Sequence, residues 1–298
     1  MVDTSVLDGA VTLNQQALKE FVHKAVEDQV LLKEVRVETV TAPMGKILKF
    51  NIGSRVIRSP AEGESVATNA GFTAAGVDYQ TVKVMLNVPI TREAIEDNIY
   101  REQLGNRIMQ LVAQAFGRDL EDLGINGNTA TDPADPDYDF LKIDDGWVKL
   151  GSSAHTYDHQ EASIDKDIFS KLIRALPPKY RVTGLTFIMS PNQLEAFKNY
   201  LTNRATAAGD MVLMQGGEVK PFGIPVITPP KWPDDQVWLT HPKNLIFIVQ
   251  RDVTIRKTTQ SDEVLDKDLY AKYVITARID YVIEETDAIA RAINIAAP

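Results

Sequence analysis

The residues best suited to chemistry in this chain are four histidines and an abundance of carboxylates. His155 and His159 stand four apart, the spacing that puts two metal ligands on one helix face, and Asp144, Asp145 and Asp158 are near them in sequence. No Glu follows His155 and the surrounding residues have no helical pattern. The pair therefore reads as part of a polar surface loop, with a metal-dependent hydrolase built on that loop as the lesser alternative. The acidic run holding Asp132, Asp135, Asp137 and Asp139 lacks the glycine and terminal Glu of a calcium loop and contains Pro133 and Pro136. Gly216-Gly217 is followed by no Gly-Lys-Ser/Thr, so it reads as a turn and not a phosphate cradle; a G-x-S-x-G elbow and a G-x-G-x-x-G fingerprint are also missing. With 41 Asp and Glu residues many carboxylates will meet in space, yet spacing singles out no acid/base couple. There is no cysteine, which removes thiolate catalysis, disulfides and Cys-based metal sites together. The expectation is a chain with no catalytic, cofactor-binding or metal-binding residues, and not an enzyme.

The elements that would position these residues are more informative. From Thr91 to Gly124, apolar Ile95, Ile99, Leu104, Ile108, Leu111, Val112, Ala115, Phe116, Leu120 and Leu123 recur at helical spacing. The other face carries Glu93, Glu96, Arg101, Glu102, Arg107, Arg118, Glu121 and Asp122. Thr91 is placed to cap this helix and Gly124 and Gly127 to stop it. Unbroken, it would run roughly 50 Å, a strut around which other elements pack. Gly105 costs ~1 kcal/mol there relative to Ala, which makes a kink near it an option.

Upstream, residues 1–11 read as an arm without a partner in the chain, and residues 12–29 as a short amphipathic helix. Residues 31–40 turn extended. Lys46–Ile52 and Val82–Val88 both alternate apolar and polar, so the two are expected to be the strands of a long hairpin. The glycine- and alanine-rich stretch between them cannot build its own core, and a two-stranded ribbon is marginal alone. It is therefore expected to project and lie across an adjacent subunit, with Arg55, Arg58, Glu62 and Glu64 for intersubunit pairing and Val56, Ile57 and Phe72 for packing.

Downstream, residues 126–167 are loop-rich. Asp165–Leu176 reads as a helix stopped by Pro177-Pro178, Thr186–Met189 as a buried strand, and Ser190-Pro191 as the cap and first residue of another helix. With Val226-Ile227 and Leu245–Val249 as further strands, residues 166–252 would form a small α/β insertion. The strongest strand signal is Leu269–Ile283, whose odd positions are apolar; its best partners are Val84–Val88 and Leu31–Val40. The net charge of −9, with no cluster of Lys and Arg, argues against a surface that grips nucleic acid. No apolar run is long enough to cross a bilayer.

In that order, the arm, projecting hairpin, strut helix, α/β insertion and closing strand resemble the major capsid protein of tailed bacteriophages with the Hong Kong 97-type fold, over nearly the whole chain. Phe222-Gly223-Ile224-Pro225-Val226-Ile227 is similar to the family's hydrophobic-Gly-x-Pro-Val signature and follows Met189-Ser190-Pro191 and its helix. The strand Tyr273–Ile283 and then Asp287-Ala288-Ile289 is similar to the family's C-terminal ending. The resemblance implies an α+β fold. Its parts would be an N-terminal arm and helix (1–44), an extended hairpin loop (45–90), a peripheral domain with spine helix (91–165 and 253–285), an axial domain (166–252) and a C-terminal strand (286–298).

The resemblance also implies a viral structural protein that self-assembles as hexamers and pentamers into an icosahedral shell around double-stranded DNA. Its partners would be itself, a portal protein, and scaffolding and decoration proteins; its place would be the virion capsid, assembled in the host cytoplasm, with no membrane and no sequence-specific DNA contact. The arm begins within a few residues of Met1, where many relatives carry a scaffolding extension that a protease removes, so scaffolding is expected from a separate protein or not at all. No residues match the founding member's Lys-Asn crosslink. An encapsulin, a cellular nanocompartment shell of the same fold, is the alternative, with the helix over 12–29 as its lumen-facing, cargo-binding segment.

Overall fold

The computed structural model describes residues 11–12, 29–52, 72–93, 104–202, 219–250 and 254–298. In chain order the strands are β1 (Val11–Thr12), β2 (Arg36–Val40), β3 (Met44–Ile52), β4 (Phe72–Gln80), β5 (Val82–Thr91), β6 (His155–Asp158), β7 (Thr186–Ile188), β8 (Val226–Ile227), β9 (Val237–Thr240), β10 (Leu245–Gln250), β11 (Thr254–Thr258), β12 (Leu269–Ile283) and β13 (Ala290–Ile293). The helices are α1 (Leu104–Asn126), two single turns α2 (Tyr138–Leu141) and α3 (Trp147–Leu150), then α4 (Lys166–Ala175), α5 (Pro191–Thr202) and the short α6 (Asp262–Asp266).

β12 is the axis of the larger sheet, which runs β1-β11-β12-β10-β2 with β5 also paired to β12. The expected alternation holds from Leu269 to Ile279, where Leu269, Ala271, Ile275, Ala277 and Ile279 are buried; it fails from Ile279 to Ile283, which are buried one after another because the hairpin covers the face expected to be wet, Asp280 included. β5 pairs with it from Val82 opposite Ile279 to Thr91 opposite Leu269. β10 (LIFIVQ) is buried along its whole length because both faces are covered. Leu245, Phe247 and Val249 join Phe116, Leu120 and Leu123 of α1 in the main core, while Ile246 and Ile248 meet Val282, Ile47, Val77 and Tyr79 on the opposite face. The sheet is thus sandwiched between the long helix and the root of the β3–β4 hairpin.

Several expectations need correction. The hairpin joins β3 to β4, in register from Met44 opposite Gln80 to Ile52 opposite Phe72, and not Lys46–Ile52 to Val82–Val88. β4 (FTAAGVDYQ) was hidden by small residues that carry no strand signal, whereas β5's alternation reports its pairing with β12. Leu245–Val249, expected in the α/β insertion, lies in the larger sheet between β12 and β2, antiparallel to the first and parallel to the second. Its apolar run signalled burial on both faces but not which sheet. β2 meets β10 instead of pairing with β12 directly. Val11 and Thr12 pair with Lys257 and Arg256 of β11, so the end of the expected arm has an intrachain partner and Thr12 starts no helix; residues 13–28 lie outside the described residues.

The long helix also differs in detail. β5 runs to Thr91 and helical residues begin directly after it at Arg92, where the cap is expected, while the helix at the other end continues past Gly124 to Asn126. Leu111, counted in the apolar stripe, is 65% exposed, and Glu121, counted on the polar face, is buried. Glu121 Oε2 accepts the amides of Leu31 at 2.7 Å and Leu32 at 3.1 Å, which ties the turn before β2 to the helix. Burial raises the pKa of this carboxyl despite those N–H donors.

The second sheet runs β6-β13-β9-β7-β8. Ile168, Phe169 and Leu172 of α4 and Phe197 of α5 cover one face, packed on Phe187, Val237, Leu239, Ala290 and Ala292. The alternate residues Ile188 and Trp238 join the main core, so the two sheets share packing. Asp165 caps α4 by accepting from the Asp167 and Ile168 amides, one residue outside the helix it was read into; as expected, Ser190 Oγ accepts from Gln193 N at 3.1 Å with Pro191 first in α5. The Phe222-Gly223 turn takes two left-handed residues (φ 54° and 78°), after which Pro225 O accepts Phe187 N at 2.9 Å and seats β8 beside β7.

Candidate functional site at the root of the hairpin

Two consecutive residues of β12 tie the sheet to the elements on its two sides. Asp280 lies on the hairpin side: its Oδ2 accepts the amide of Gln80, the last residue of β4, at 2.7 Å, and its Oδ1 accepts Tyr281 N at 2.8 Å. The next residue, Thr81, donates its amide to Pro43 O at 2.8 Å and its hydroxyl to Gln250 Oε1 at 2.8 Å. Further out, Lys49 Nζ reaches Glu285 Oε2 at 2.7 Å and Glu284 O at 2.9 Å. The hairpin is therefore fixed at its base by main-chain donors on buried acceptors, while on its outer face Met44 and Leu48 stay more than 60% exposed.

Tyr281 lies on the helix side, and its hydroxyl donates to Leu120 O of α1 at 2.7 Å. Its ring meets Trp147 edge-on at 5.3 Å and stacks on Phe247 at 5.3 Å. Burial pushes its phenol pKa well up, so it remains a neutral donor. Gly124 lets the helix approach: a Cβ there would lie 2.6 Å from Tyr281 Cε1 and 3.1 Å from Trp147 Cζ3.

Between these contacts Asp144 comes in from the turn before α3. It is buried; its Oδ1 accepts Asp145 N at 2.9 Å, and its Oδ2 has no hydrogen-bond partner among the described residues. Asp280 is its neighbouring carboxyl, close enough for a side-chain hydrogen bond once one of the two is protonated. Burial, then the charge of Asp280, pushes Asp144 up to about 7; burial pushes Asp280 up to about 6 against the pull of the Gln80 and Tyr281 amides. Asp280, which holds two N–H donors, is the carboxylate of the pair and Asp144 the acid. Both line a cleft of about 620 Å³ with Lys46, Asp78 and Tyr79 of the hairpin and Asp145. Thr129 also lines it, its amide donating to Asp145 Oδ1 at 2.7 Å and its hydroxyl oxygen accepting from Lys149 Nζ at 3.1 Å; what the carboxyl pair can do is hold a proton.

Of the residues marked in the sequence, Arg55, Val56, Ile57, Arg58, Glu62 and Glu64 lie outside the described residues, and Phe72 opens β4 opposite Ile52. His155 lies in strand β6, not on a helix, and His159 follows it; four residues of strand span about 13 Å, too far for one ligand sphere. His159 Nε2 is 3.0 Å from Ser163 O. Among the described residues no three His, Asp or Glu side chains converge to hold a metal ion. Asp132 and Asp135 accept the amides of Ala134 and Asp137, so this run builds turns. The Asp144–Asp280 pairing was missed because the two are 136 positions apart among 41 acidic residues, and Asp280 falls at an even position of β12, in phase with Lys272 and Arg278 on the face expected to meet water.

A six-stranded sheet backed by a long helix, a standing hairpin and a second α/β layer make up the fold of a shell subunit, the α+β Hong Kong 97-type capsid fold. The sequence matches the Phage capsid family over residues 9–292, and the chain belongs to that family. Its place is accordingly the virion capsid. It is 27% identical to YqbE of Bacillus subtilis (strain 168), described as a prophage capsid protein, over 98% of this chain and 95% of that one. Among solved structures it is similar to the satellite phage P4 procapsid that includes the size determination protein Sid (TM-score 0.72, 15% identity, 99% of this chain and 94% of that one). It is also similar to the SrpI encapsulin of Synechococcus elongatus PCC 7942 (TM-score 0.61, 12% identity, 96% and 97%).

Proposed function

We propose that this chain is the major capsid protein of a tailed phage, which assembles with itself as hexamers and pentamers into an icosahedral shell enclosing double-stranded DNA. The observation that carries this reading is the family match along almost the whole chain, 9–292. The hairpin supports it, since its apolar side chains Met44 and Leu48 are more than 60% exposed in the subunit and a neighbouring copy would cover them. Shells closed by rotation are how such heterologous contacts are satisfied without open polymers. The role is structural, without catalysis, and a portal protein and scaffolding and decoration proteins would be its partners. The net charge of −9 per subunit, repeated over a shell, suits a wall that repels DNA and does not retain it.

The test is sedimentation and negative-stain electron microscopy of the purified protein under a range of assembly conditions, with a duplex-DNA gel shift on free subunits. Closed particles and no shift at physiological salt are expected. Monomers or dimers throughout, or tight DNA binding, would overturn the reading. The encapsulin alternative shares the fold and is separated by content: particles from expressing cells that carry an enzyme cargo favour the compartment.

A further inference from the structure

We propose that Asp144 and Asp280 form a proton-operated latch: with one proton between them they close the turn before α3 onto the root of the hairpin, and with that proton lost the cleft opens. The latch belongs to the single subunit and does not depend on shell assembly.

Three observations carry it. Asp144 is more than nine-tenths buried and its Oδ2 has no hydrogen-bond partner among the described residues, although it shares a cleft with the neighbouring carboxyl of Asp280. A buried acceptor left unpaired is costly, and two ionised carboxylates at close quarters cost more, so a shared proton is the arrangement that satisfies both oxygens. Second, the pair stands where three segments meet. Asp280 holds Gln80 N at the end of the hairpin and Tyr281 N in β12, while Asp144 holds Asp145 N in the turn before α3. Third, the pair lines a cleft of about 620 Å³, which gives water a route in once the surfaces part.

The charged and titratable groups on the surrounding elements do not neutralise the pair. On the hairpin, Lys46 Nζ is 3.2 Å from Asp78 Oδ1, and Tyr79 lines the same cleft. On the turn, Asp145 Oδ1 is 2.7 Å from Lys149 Nζ. On β12, Tyr281 is a neutral phenol committed to Leu120 O. β10, beneath, contributes no charged side chain along LIFIVQ.

The sign follows from which state holds the proton. The closed form keeps a proton that a solvated aspartate loses near pH 4, so the closed form is favoured at acid pH and loses ground as pH rises toward 7. For one proton the open-to-closed ratio grows by at most about tenfold per pH unit in that window. The hairpin root would thus be most firmly seated in mild acid and loosened in mild alkali, the reverse of what a salt bridge at the same place would do.

Hydrogen exchange of the purified subunit, corrected for the intrinsic effect of pH, tests this at the Gln80, Asp145 and Tyr281 amides. Protection is expected to fall by about tenfold or more between about pH 5 and about pH 8 in the wild type and to stay level in Asp144→Asn, whose amide can donate to Asp280 at any pH. Unchanged protection in the wild type, or the same fall in Asp144→Asn, would overturn the proposal. Should Asp144→Asn fail to fold, the wild-type profile and Asp280→Asn decide in the same way. Calcium restoring protection at about pH 8 would also overturn it, because the pair would then be a cation site.

Discussion

At the scale of the residue, two side chains adjacent in β12 carry connections that are unlike in kind. Tyr281 is held by packing and one neutral hydrogen bond, so its neighbours tolerate little added volume. Gly124→Ala shows this best. In an open helix the change would gain about 1 kcal/mol in propensity. Here the new Cβ would lie 2.6 Å from a ring that Trp147, Phe247 and the Leu120 carbonyl all hold in place. Overpacking of that sort costs about 1–3 kcal/mol, so a net loss of about 1–2 kcal/mol is expected in urea unfolding. A stabilised variant would show that the ring moves freely. From the sequence, Gly124 looked like a helix stop. Glycine is both the usual terminator and the residue of close approach, and only the position of Tyr281, 157 residues on, separates the two roles. The proton pair was illegible for the same reason: Asp144 and Asp280 meet through tertiary folding, and neither has a spacing motif.

At the scale of the element, what was legible tracks whether an element's partner surface leaves a periodic imprint. β12 and α4 were read almost to the residue, because each buries one face and a dedicated cap or alternation marks its ends. β4 was missed because small residues such as its alanines and glycine leave no apolar alternation in the sequence, so the strand's identity lies in its backbone pairing with β3, which Gly76 approaches closely at Lys46. β10 was assigned to the wrong sheet because a strand buried on both faces says nothing about its neighbours. The hairpin's role follows from this anatomy. Its root is latched and its outer apolar residues lack cover, so removing residues 58–72 should spare the subunit's own core. The variant is expected to give native circular dichroism and soluble monomer but no closed particles. Normal shells would refute an intersubunit role, and global unfolding would place the hairpin in the subunit's own core.

At the scale of the whole molecule, two sheets share a core through Ile188 and Trp238, while the described hairpin strands pack on the other face of the larger sheet through Ile47, Val77 and Tyr79. A hairpin whose described strands leave Met44 and Leu48 exposed is what a unit completed by copies of itself would present. The negative charge of the subunit fits the same picture, since copies must associate through shape and apolar contact at specific places and not by general electrostatic attraction. The most direct measurement is a cryo-electron microscopy reconstruction of the assembled particle that follows the chain from Ile52 to Phe72. The account predicts a closed icosahedral shell in which this stretch lies across the body of an adjacent subunit. A particle in which it folds back on its own β3–β4 strands, touching no neighbour, would contradict the account.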